Sequence, residues 1–268
     1  GHGYHKTHTF ISGDNSATIN NIKTGDSICY YIRTEEISSG KTASSNTICF
    51  KLKSVKVPII NYLSNVTVET NSYIKFTFET DKNADTDSII IERKSNAEPA
   101  FKIYNALNFN SVNSHTEIND MTADFNNFIY AYRIKTIDKC HNLSSTSNTG
   151  KSILLSKPVF NNDQYNFNWN PFTDWEKGVS GQVIEMSPNS FTWNTYQNAP
   201  STLKNIYIPK SVIDSDSVCF RIKNIENINS LNTFAESYSN LRCLYVIRDF
   251  YFPETLNPFS KNNVFKIY

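Results

Sequence analysis

Glycine, methionine and long apolar runs are scarce in this sequence, and its charge is almost balanced. Its 268 residues include 8 Gly and 2 Met, and 26 Lys and Arg against 25 Asp and Glu leave a net charge of +1. Nucleic-acid binding usually requires an excess of positive charge, and this sequence has almost none. No apolar run approaches the ~20 residues that cross a bilayer, so we expect no membrane span.

Motifs that carry catalysis are missing as well. The sequence has no nucleophile elbow, no metal-hydrolase His pair and no phosphate-binding loop. Acid–base catalysis requires two carboxylates that converge in one pocket. The best candidates are Asp174, Glu176 and Glu185, which stand near tryptophans as in a sugar site but follow no such motif. We therefore expect no catalytic residue and no enzyme activity.

The three tryptophans differ in their surroundings. Trp169 ends a run that alternates apolar and polar residues, so we expect it in the core of a β-sandwich. Trp175 and Trp193 fall in or near loops. These two are freer to be exposed. An ordinary surface position is one interpretation, and contact with a ligand such as a surface polysaccharide is the alternative.

Aromatic residues are abundant, with 15 Tyr and 18 Phe among the 268 residues. Residues 73–78 and 165–169 alternate between apolar and polar, as in β-strands that have one face exposed to solvent. No stretch of about 12 or more residues has a convincing helical period. Six or seven short strands in each roughly 95 residues, joined by polar turns, predict an all-β chain of tandem β-sandwiches.

One short segment occurs three times along the chain. Residues 29–33, 131–135 and 219–223 are β-patterned and end in a basic residue, and each is followed by a Ser-Asn pair. Such recurrence indicates a repeated domain. The predicted divisions are the C-terminal half of a sandwich at 1–56, complete sandwiches at 57–156 and 157–247, and a further domain beginning at 248–268. We call the first three repeats 1, 2 and 3, and we expect the sequence to be part of a longer protein.

The cysteines follow the repeats. Aligned on the repeated segment and the Ser-Asn pair, repeats 1 and 3 have cysteine at two positions where repeat 2 has Ala131 and Lys151. Joint presence and absence predicts disulfides, each worth about 3 kcal/mol in the chain-entropy model, although reduced core cysteines are the alternative. Disulfides indicate an oxidising compartment. The predicted pairs are Cys29–Cys49 and Cys219–Cys243, which leaves Cys140 as a free thiol or a link to another part.

A possible calcium loop lies between two predicted strands. Oxygen donors stand at the first, third, fifth, seventh and twelfth positions, as a calcium-binding loop requires. The alternative is a solvated acidic loop, because the glycine position is Thr86 and no helices flank the loop. The predicted ligands are Asp81, Asn83, Asp85, Asp87 and Glu92. His2, His5 and His8 do not share a strand face and are interpreted as an ordinary terminus.

Repeats 2 and 3 resemble the fibronectin type III domain. The resemblance lies in an early strand that ends in an aromatic residue, Phe78 or Trp169, and in the late strand that alternates aromatic, basic and aliphatic residues. It implies a fibronectin-like sandwich, a fold that supports many functions. A disulfide that joins the last two strands departs from the common form.

The last residues resemble the start of a gliding-motility-associated C-terminal domain, a type B sorting domain of the type IX secretion system of Bacteroidota. The residues that carry the resemblance are Phe252-Pro253, Asn257-Pro258, Asn262-Asn263 and Val264-Phe265-Lys266-Ile267. The usual Gly-Asp-Gly loop is replaced by Phe259-Ser260-Lys261. The resemblance implies export to the cell surface by the secretion translocon and its outer-membrane shuttle protein.

Three Asp-Ser-aliphatic triplets resemble the O-glycosylation acceptor of the same bacteria. They imply modification at Ser27, Ser88 or Ser217, although Asp and Ser also suit ordinary turns.

These features together predict a non-enzymatic stalk or adhesin region that spaces a distal binding region from the outer membrane in gliding or adhesion. Two alternatives remain open. In the first alternative, the repeats are spacers or carbohydrate-binding modules of a secreted hydrolase. In the second, they are a structural subunit of the secretion or motility apparatus.

Overall fold

The structure is a computed structural model that describes residues 7–10, 13–14, 16–19, 27–51, 55–172, 175–213 and 217–245. The chain forms two compact units, Gly1–Lys56 and Val57–Tyr268. The first unit contains repeat 1, and the second contains repeats 2 and 3. The segment 248–268, predicted to begin a sorting domain, lies outside the described residues.

The first unit has two antiparallel strand pairs. β1 pairs with β4, and β2 pairs with β3. Their bounds are β1 Ser27–Tyr30, β2 Arg33–Glu35, β3 Thr42–Ser44 and β4 Ile48–Lys51.

Repeat 2 is a sandwich of two antiparallel sheets. One sheet has the order β5-β6-β9, and the other has the order β11-β10-β7-β8 with β12 also paired to β10. Residues 70–72 join β5 to β6 in a tight turn, in which Thr70 and Asn71 both have positive φ. The strands are β5 Asn61–Glu69, β6 Tyr73–Thr80, β7 Thr86–Ser95, β8 Lys102–Asn108, β9 His115–Asp120, β10 Tyr130–Asp138, β11 Leu143–Thr146 and β12 Gly150–Lys151.

Repeat 3 has the same arrangement. One sheet has the order β13-β14-β17, and the other has the order β16-β15-β18-β19 with β20 also paired to β18. The strands are β13 Val159–Asn161, β14 Gln164–Asn168, β15 Val179–Ser187, β16 Asn194–Ala199, β17 Asn205–Pro209, β18 Ser217–Glu226, β19 Glu236–Tyr238 and β20 Arg242–Tyr245.

Each sandwich encloses its own apolar core. The repeated strand supplies its alternate residues to that core, as Tyr132 and Ile134 do in repeat 2 and Phe220 and Ile222 do in repeat 3. The described helical elements are two 3-10 turns, Phe109–Ser111 and Lys210–Val212. In the part of the chain that the structure describes, no helix has the length and apolar character to cross a membrane. The prediction of an all-β chain with tandem fibronectin III-like sandwiches is confirmed.

The segment 152–155 differs from its predicted place at the end of repeat 2. Ser152 N–H still donates to the Tyr130 carbonyl oxygen at 2.9 Å. Ile153 and Leu155, however, are buried in the core of repeat 3, and Leu155 forms a β-bridge with Trp169. The residues that directly follow β12, the last strand of repeat 2, therefore already belong to the core of repeat 3.

Both predicted disulfides are present. Cys29 is bonded to Cys49 and Cys219 is bonded to Cys243, with Cα–Cα distances of 4.0 and 3.9 Å. Each pair is directly opposite in an antiparallel ladder. Cys140 is a free and exposed thiol.

Candidate functional site

Repeats 2 and 3 meet along one strand of each, where β19 lies against β5. Ser237 Oγ donates to the Val66 carbonyl oxygen at 2.6 Å, and Tyr238 N–H donates to Thr67 Oγ1 at 2.9 Å. Ser237 and Thr67 are both buried although neither is apolar. We call this surface the joint and define it by β5 together with β19, Trp175 and Arg242.

Trp175 is the largest side chain in the joint. It is only 4% exposed and packs on Phe172 with 4.2 Å between ring centroids. Its indole N–H donates to the Ser64 carbonyl oxygen of repeat 2 at 2.8 Å. Leu63 and Val66 line the same crevice from the side of repeat 2. The expectation that Trp175 is exposed is therefore wrong, because the neighbouring repeat covers it.

Gly150 allows β5 to approach closely beneath the joint. A Cβ atom at this position would lie 2.6 Å from Leu63 Cδ2 and 2.7 Å from Val66 Cγ2. Real Cβ atoms do not come so near other carbons, so the absence of a side chain keeps Leu63 and Val66 in place under Trp175.

Arg242 extends the joint to a loop of repeat 2. Its guanidinium donates through Nη2 to the Asn126 carbonyl oxygen at 2.6 Å and through Nε to the Leu155 carbonyl oxygen at 2.8 Å. Burial lowers the pKa of Arg242 below its usual range. Next to it, Leu241 N–H donates to Asn71 Oδ1 at 3.1 Å. The turn between β5 and β6 thus also contacts repeat 3.

Tyr62 and Glu226 form a further hydrogen bond across the joint. The Tyr62 hydroxyl donates to Glu226 Oε1. Glu226 is 2% exposed, and its other oxygen accepts from Asn229 Nδ2 and from Ala235 N–H, both at 3.1 Å. Burial raises the pKa of Glu226 above its usual range despite these bonds. Burial and the neighbouring carboxyl group also raise the pKa of Tyr62.

The Ser-Asn pair has the same role in repeats 2 and 3. In repeat 2, Ser147 Oγ accepts from Ile134 N–H at 2.9 Å and donates to the Asn148 carbonyl oxygen at 2.7 Å. The Asn148 amide then accepts from Leu63 N–H at 2.8 Å and donates to the Leu63 carbonyl oxygen at 3.0 Å. We call this two-bond contact the Asn clamp. In repeat 3 the matching residues are Ser239, Ile222, Asn240 and Leu155.

The residues predicted to bind calcium do not converge. Glu92 is five strand residues beyond Asp87, and its carboxylate pairs with Arg133 Nε at 2.5 Å and Lys135 Nζ at 2.8 Å. Asp81 Oδ1 accepts from Asn83 N–H at 2.9 Å, and Lys139 Nζ lies 3.3 Å from Asp85 Oδ1. Among the described residues, no three His, Cys, Asp or Glu side chains are grouped to hold a metal ion.

The predicted glycosylation serines lie at the starts of strands. Ser88 is half-buried in β7, and Ser217 Oγ lies 3.5 Å from the Pro188 carbonyl oxygen. Ser27 is the first residue of β1, and its side chain is outside the described part. His2 and His5 also lie outside the described residues, while the His8 ring packs on Phe10.

The carboxylates near the tryptophans have separate partners. Glu176 Oε2 accepts from Ser230 Oγ at 2.8 Å, whereas Glu185 Oε2 pairs with Arg221 Nε at 2.6 Å. Asp174 lies outside the described residues. Arg221 stacks on Trp193, with 4.1 Å between the guanidinium carbon and the ring centroid. One face of Trp193 is therefore covered by a residue of its own repeat.

Reasoning from the sequence missed most of the joint. Its polar members are ordinary Asn, Thr and Ser residues, such as Asn65, Thr67 and Ser237, that lie 171 positions from their partners. The one available signal was the repeated Ser-Asn pair, which marked the repeats but was not assigned a contact.

The comparisons with known proteins do not identify a family for this chain. No protein-family profile and no curated protein matches the chain. Among solved structures, the crystal structure of chicken CNTN1 FN1-FN3 domains is similar at 11% identity and a TM-score of 0.27. That match covers 82% of this chain and 78% of the other. The assignment of fibronectin III-like sandwiches rests on strand order and register, which repeats 2 and 3 share.

Proposed function

We propose that repeats 2 and 3 form a stiff, non-enzymatic spacer in a secreted or cell-surface protein. The observation that carries this proposal is the joint, in which Trp175 is buried and hydrogen-bonded to the neighbouring repeat. Adjacent domains move relative to each other by default unless their interface is large and well packed. A spacer benefits from such an interface, because it holds a distal binding region at a fixed distance.

The connection between the two repeats supports this proposal, because it contains no slack. Ser152 N–H is bonded to repeat 2, whereas Leu154 N–H donates to Asn170 Oδ1 at 2.7 Å. Leu155 N–H is held by the Asn clamp, and Ile153 forms a bridge with Ser239. Each residue from 152 to 155 is thus fixed to one repeat or the other.

The disulfides support a location outside the reducing cytosol. Each closes a ladder pair in the last strands of repeats 1 and 3, and repeat 2 has Ala131 opposite Lys151 instead. Disulfides persist in oxidising compartments such as the periplasm or the cell exterior. When force unfolds a repeat, its disulfide reduces the length of chain that the repeat releases.

Reduction should lengthen the unfolding steps of repeats 1 and 3 in single-molecule pulling experiments. The disulfide loops span 20 and 24 residues. At about 3.4 Å per extended residue, the released lengths should grow by about 70 and 80 Å. Each disulfide should also contribute about 3 kcal/mol of stability. The measurement is force–extension of the whole chain with and without a reductant.

Repeat 2 is the internal control for this experiment. Its step should keep the same length in both conditions, because it contains no disulfide. A spacer held by disulfides is contradicted if all three steps change alike, or if none changes.

We propose further that the protein reaches the surface of a Bacteroidota cell through the type IX secretion system. Only the residues at 248–268 that resemble a type B sorting domain support this. Truncation after Tyr245 should abolish surface labelling of the protein by a membrane-impermeant biotin reagent and leave it inside the cell. Full surface labelling of the truncated protein would exclude this export route, and the spacer proposal would stand.

A further inference from the structure

A cleft opens between the two sheets of repeat 2, at the end of the sandwich where β9 ends. It lies between β8, the edge strand of one sheet, and the residues that follow β9, the edge strand of the other. Its volume is about 230 Å³, which is less than the ~300–1,000 Å³ of sites for drug-sized ligands and suits a single sugar-sized unit. The lining residues are Arg93, Glu98, Lys102, Ile103, Tyr104 and Thr122, and we call this site the Arg93 cleft.

The guanidinium group of Arg93 is held in one orientation. Its Nη1 donates to Asp120 Oδ2 at 2.5 Å and to Thr122 Oγ1 at 2.7 Å. Its central carbon lies 4.9 Å from the ring centroid of Tyr104 and 5.2 Å from that of Tyr130. A side chain that is already ordered loses little conformational entropy when it binds a ligand, so Arg93 is preorganised for binding.

The hydrogen-bonding groups of the cleft that remain available are donors. In the part of the chain that the structure describes, no acceptor bonds Arg93 Nε or Nη2. The Lys102 side chain is 73% exposed and gives one of its three N–H groups to Glu98 Oε1 at 2.8 Å. The other oxygen of Glu98 accepts from Ser95 N–H, also at 2.8 Å. Two cations with spare donors suit an anionic ligand, and the two parallel N–H groups of an arginine suit a planar carboxylate.

Repeat 3 shows that this sandwich does not require the charges. Three polar positions around the cleft are apolar in repeat 3, as the register of the matching strands establishes. The corresponding residues are Arg93 and Met186, Asp120 and Ile208, and Tyr132 and Phe220. Replacing a buried ion pair by apolar residues is often neutral or stabilising. Packing alone therefore does not account for the charged group that repeat 2 keeps beside the Arg93 cleft.

We propose that the Arg93 cleft binds the carboxylate of an acidic sugar, such as a uronic acid unit of a polysaccharide outside the cell. Arg93 donates from Nε and Nη2 to the two carboxylate oxygens, and Lys102 Nζ adds a third charge-assisted bond. Sugar hydroxyls donate as well as accept, so they complement the Glu98 carboxylate, which a purely anionic group would not. This inference adds a ligand to repeat 2 and does not depend on the stiffness of the joint.

The test is an NMR titration of the whole protein with a trimer of galacturonic acid, followed through the backbone amide shifts. The shifts should saturate and should be largest around Lys102 and Thr122. Lys102→Ala should weaken binding about tenfold through the loss of one charge-assisted bond. Arg93→Lys should weaken it by about tenfold or more, because lysine keeps the charge but lacks the two parallel donors.

Lys94→Ala is the matched control variant, since it removes the same charge from the residue next to Arg93. Successive side chains of a strand point to opposite faces, and Lys94 Nζ lies 5.0 Å from the ring centroid of Phe101. This variant should bind the trimer as the wild type does. The methyl ester of the trimer is the matched control ligand, because it has the same ring and hydroxyls without the charge, and it should not bind.

Four results would overturn the proposal. The first is no saturable shift at about 10 mM trimer, a concentration beyond that of ordinary specific association. The second is equal binding of the acid and its methyl ester, and the third is equal weakening by Lys94→Ala and Lys102→Ala. The fourth is tighter binding of acetyl-dialanine, which would identify a site for a peptide carboxylate instead. The Lys102 side chain is exposed, so Lys102→Ala remains informative even if Arg93→Lys disturbs the bond to Asp120.

Discussion

Trp175→Ala should lower the free energy of unfolding of the second unit by about 3–5 kcal/mol, the range for removing a buried tryptophan. The indole is 4% exposed and bonds the Ser64 carbonyl oxygen, so the substitution removes both packing and a buried donor. It should also release the joint, because Trp175 fills the crevice formed by Leu63 and Val66.

Two measurements separate these effects. Denaturant unfolding gives the free energy, and the distance distribution between spin labels gives the freedom of the joint. The exposed native thiol of Cys140 provides the label in repeat 2, and Asn198→Cys on β16 provides the one in repeat 3. The wild-type distribution should be narrow, and that of Trp175→Ala should be broad.

Trp193→Ala is the control variant, because it makes the same change from tryptophan to alanine at a position outside the joint. Trp193 is in the same repeat but stacks on Arg221 at the surface, a contact worth about 0.5–1 kcal/mol. It should leave the distance distribution unchanged. A joint that stays equally narrow in Trp175→Ala would contradict the role assigned to this residue.

Asp120→Asn should be almost as damaging to repeat 2, with an expected loss of about 3–5 kcal/mol for breaking a buried charge pair. Asp120 is fully buried and accepts from Arg93 Nη1 at 2.5 Å and from the Tyr132 hydroxyl at 2.7 Å. It also accepts from the N–H and hydroxyl of Thr122. The substitution leaves the charge of Arg93 without its partner.

The pH dependence of stability provides a second readout for Asp120. Burial alone would raise the pKa of this carboxyl group, but the bonds from Arg93, Thr122 and Tyr132 outweigh burial and lower the pKa below its usual range. A lowered pKa contributes stability above the unfolded value of about 3.9 and loses it as the pH falls further. Below about pH 4 the wild type should therefore lose stability more steeply than Asp120→Asn does.

Asp87→Asn controls for the removal of a carboxylate as such. Asp87 is exposed at the start of β7 and should change the free energy of unfolding by less than about 0.5 kcal/mol. If Asp120→Asn matched this small effect, the network around Asp120 would not stabilise repeat 2.

The sequence was sufficient to predict structural features that depend on local patterns or that recur in several repeats. Alternation identified the strands around Phe78 and Phe220, and the paired presence of cysteines in repeats 1 and 3 identified both disulfides. Alternation did not identify β5, because Ser64 and Thr67 are buried alongside Leu63 and Val66. Repeat 3 covers the outer side of this strand, and no local pattern records such burial.

The two clearest errors have the same physical origin. Trp175 was predicted to be exposed because it lies in a loop, yet the adjacent repeat buries it. Glu92 was a candidate ligand of the possible calcium loop because of its spacing from Asp81, with a solvated acidic loop as the other interpretation, and the strand register places it opposite Arg133. The environment of Trp175 is set by a neighbouring repeat, and that of Glu92 is set by a neighbouring strand.

The joint also has a consequence for how the two repeats can diverge. Repeat 2 contributes to the joint in two ways. Ser64, Val66 and Asn126 offer backbone oxygens to the side chains of repeat 3. Tyr62, Thr67 and Asn71 make their hydrogen bonds through their side chains. A backbone acceptor survives most changes of side chain. The bond from Trp175 should therefore persist when Ser64 is substituted, whereas substitution of Tyr62, Thr67 or Asn71 should remove a contact with repeat 3.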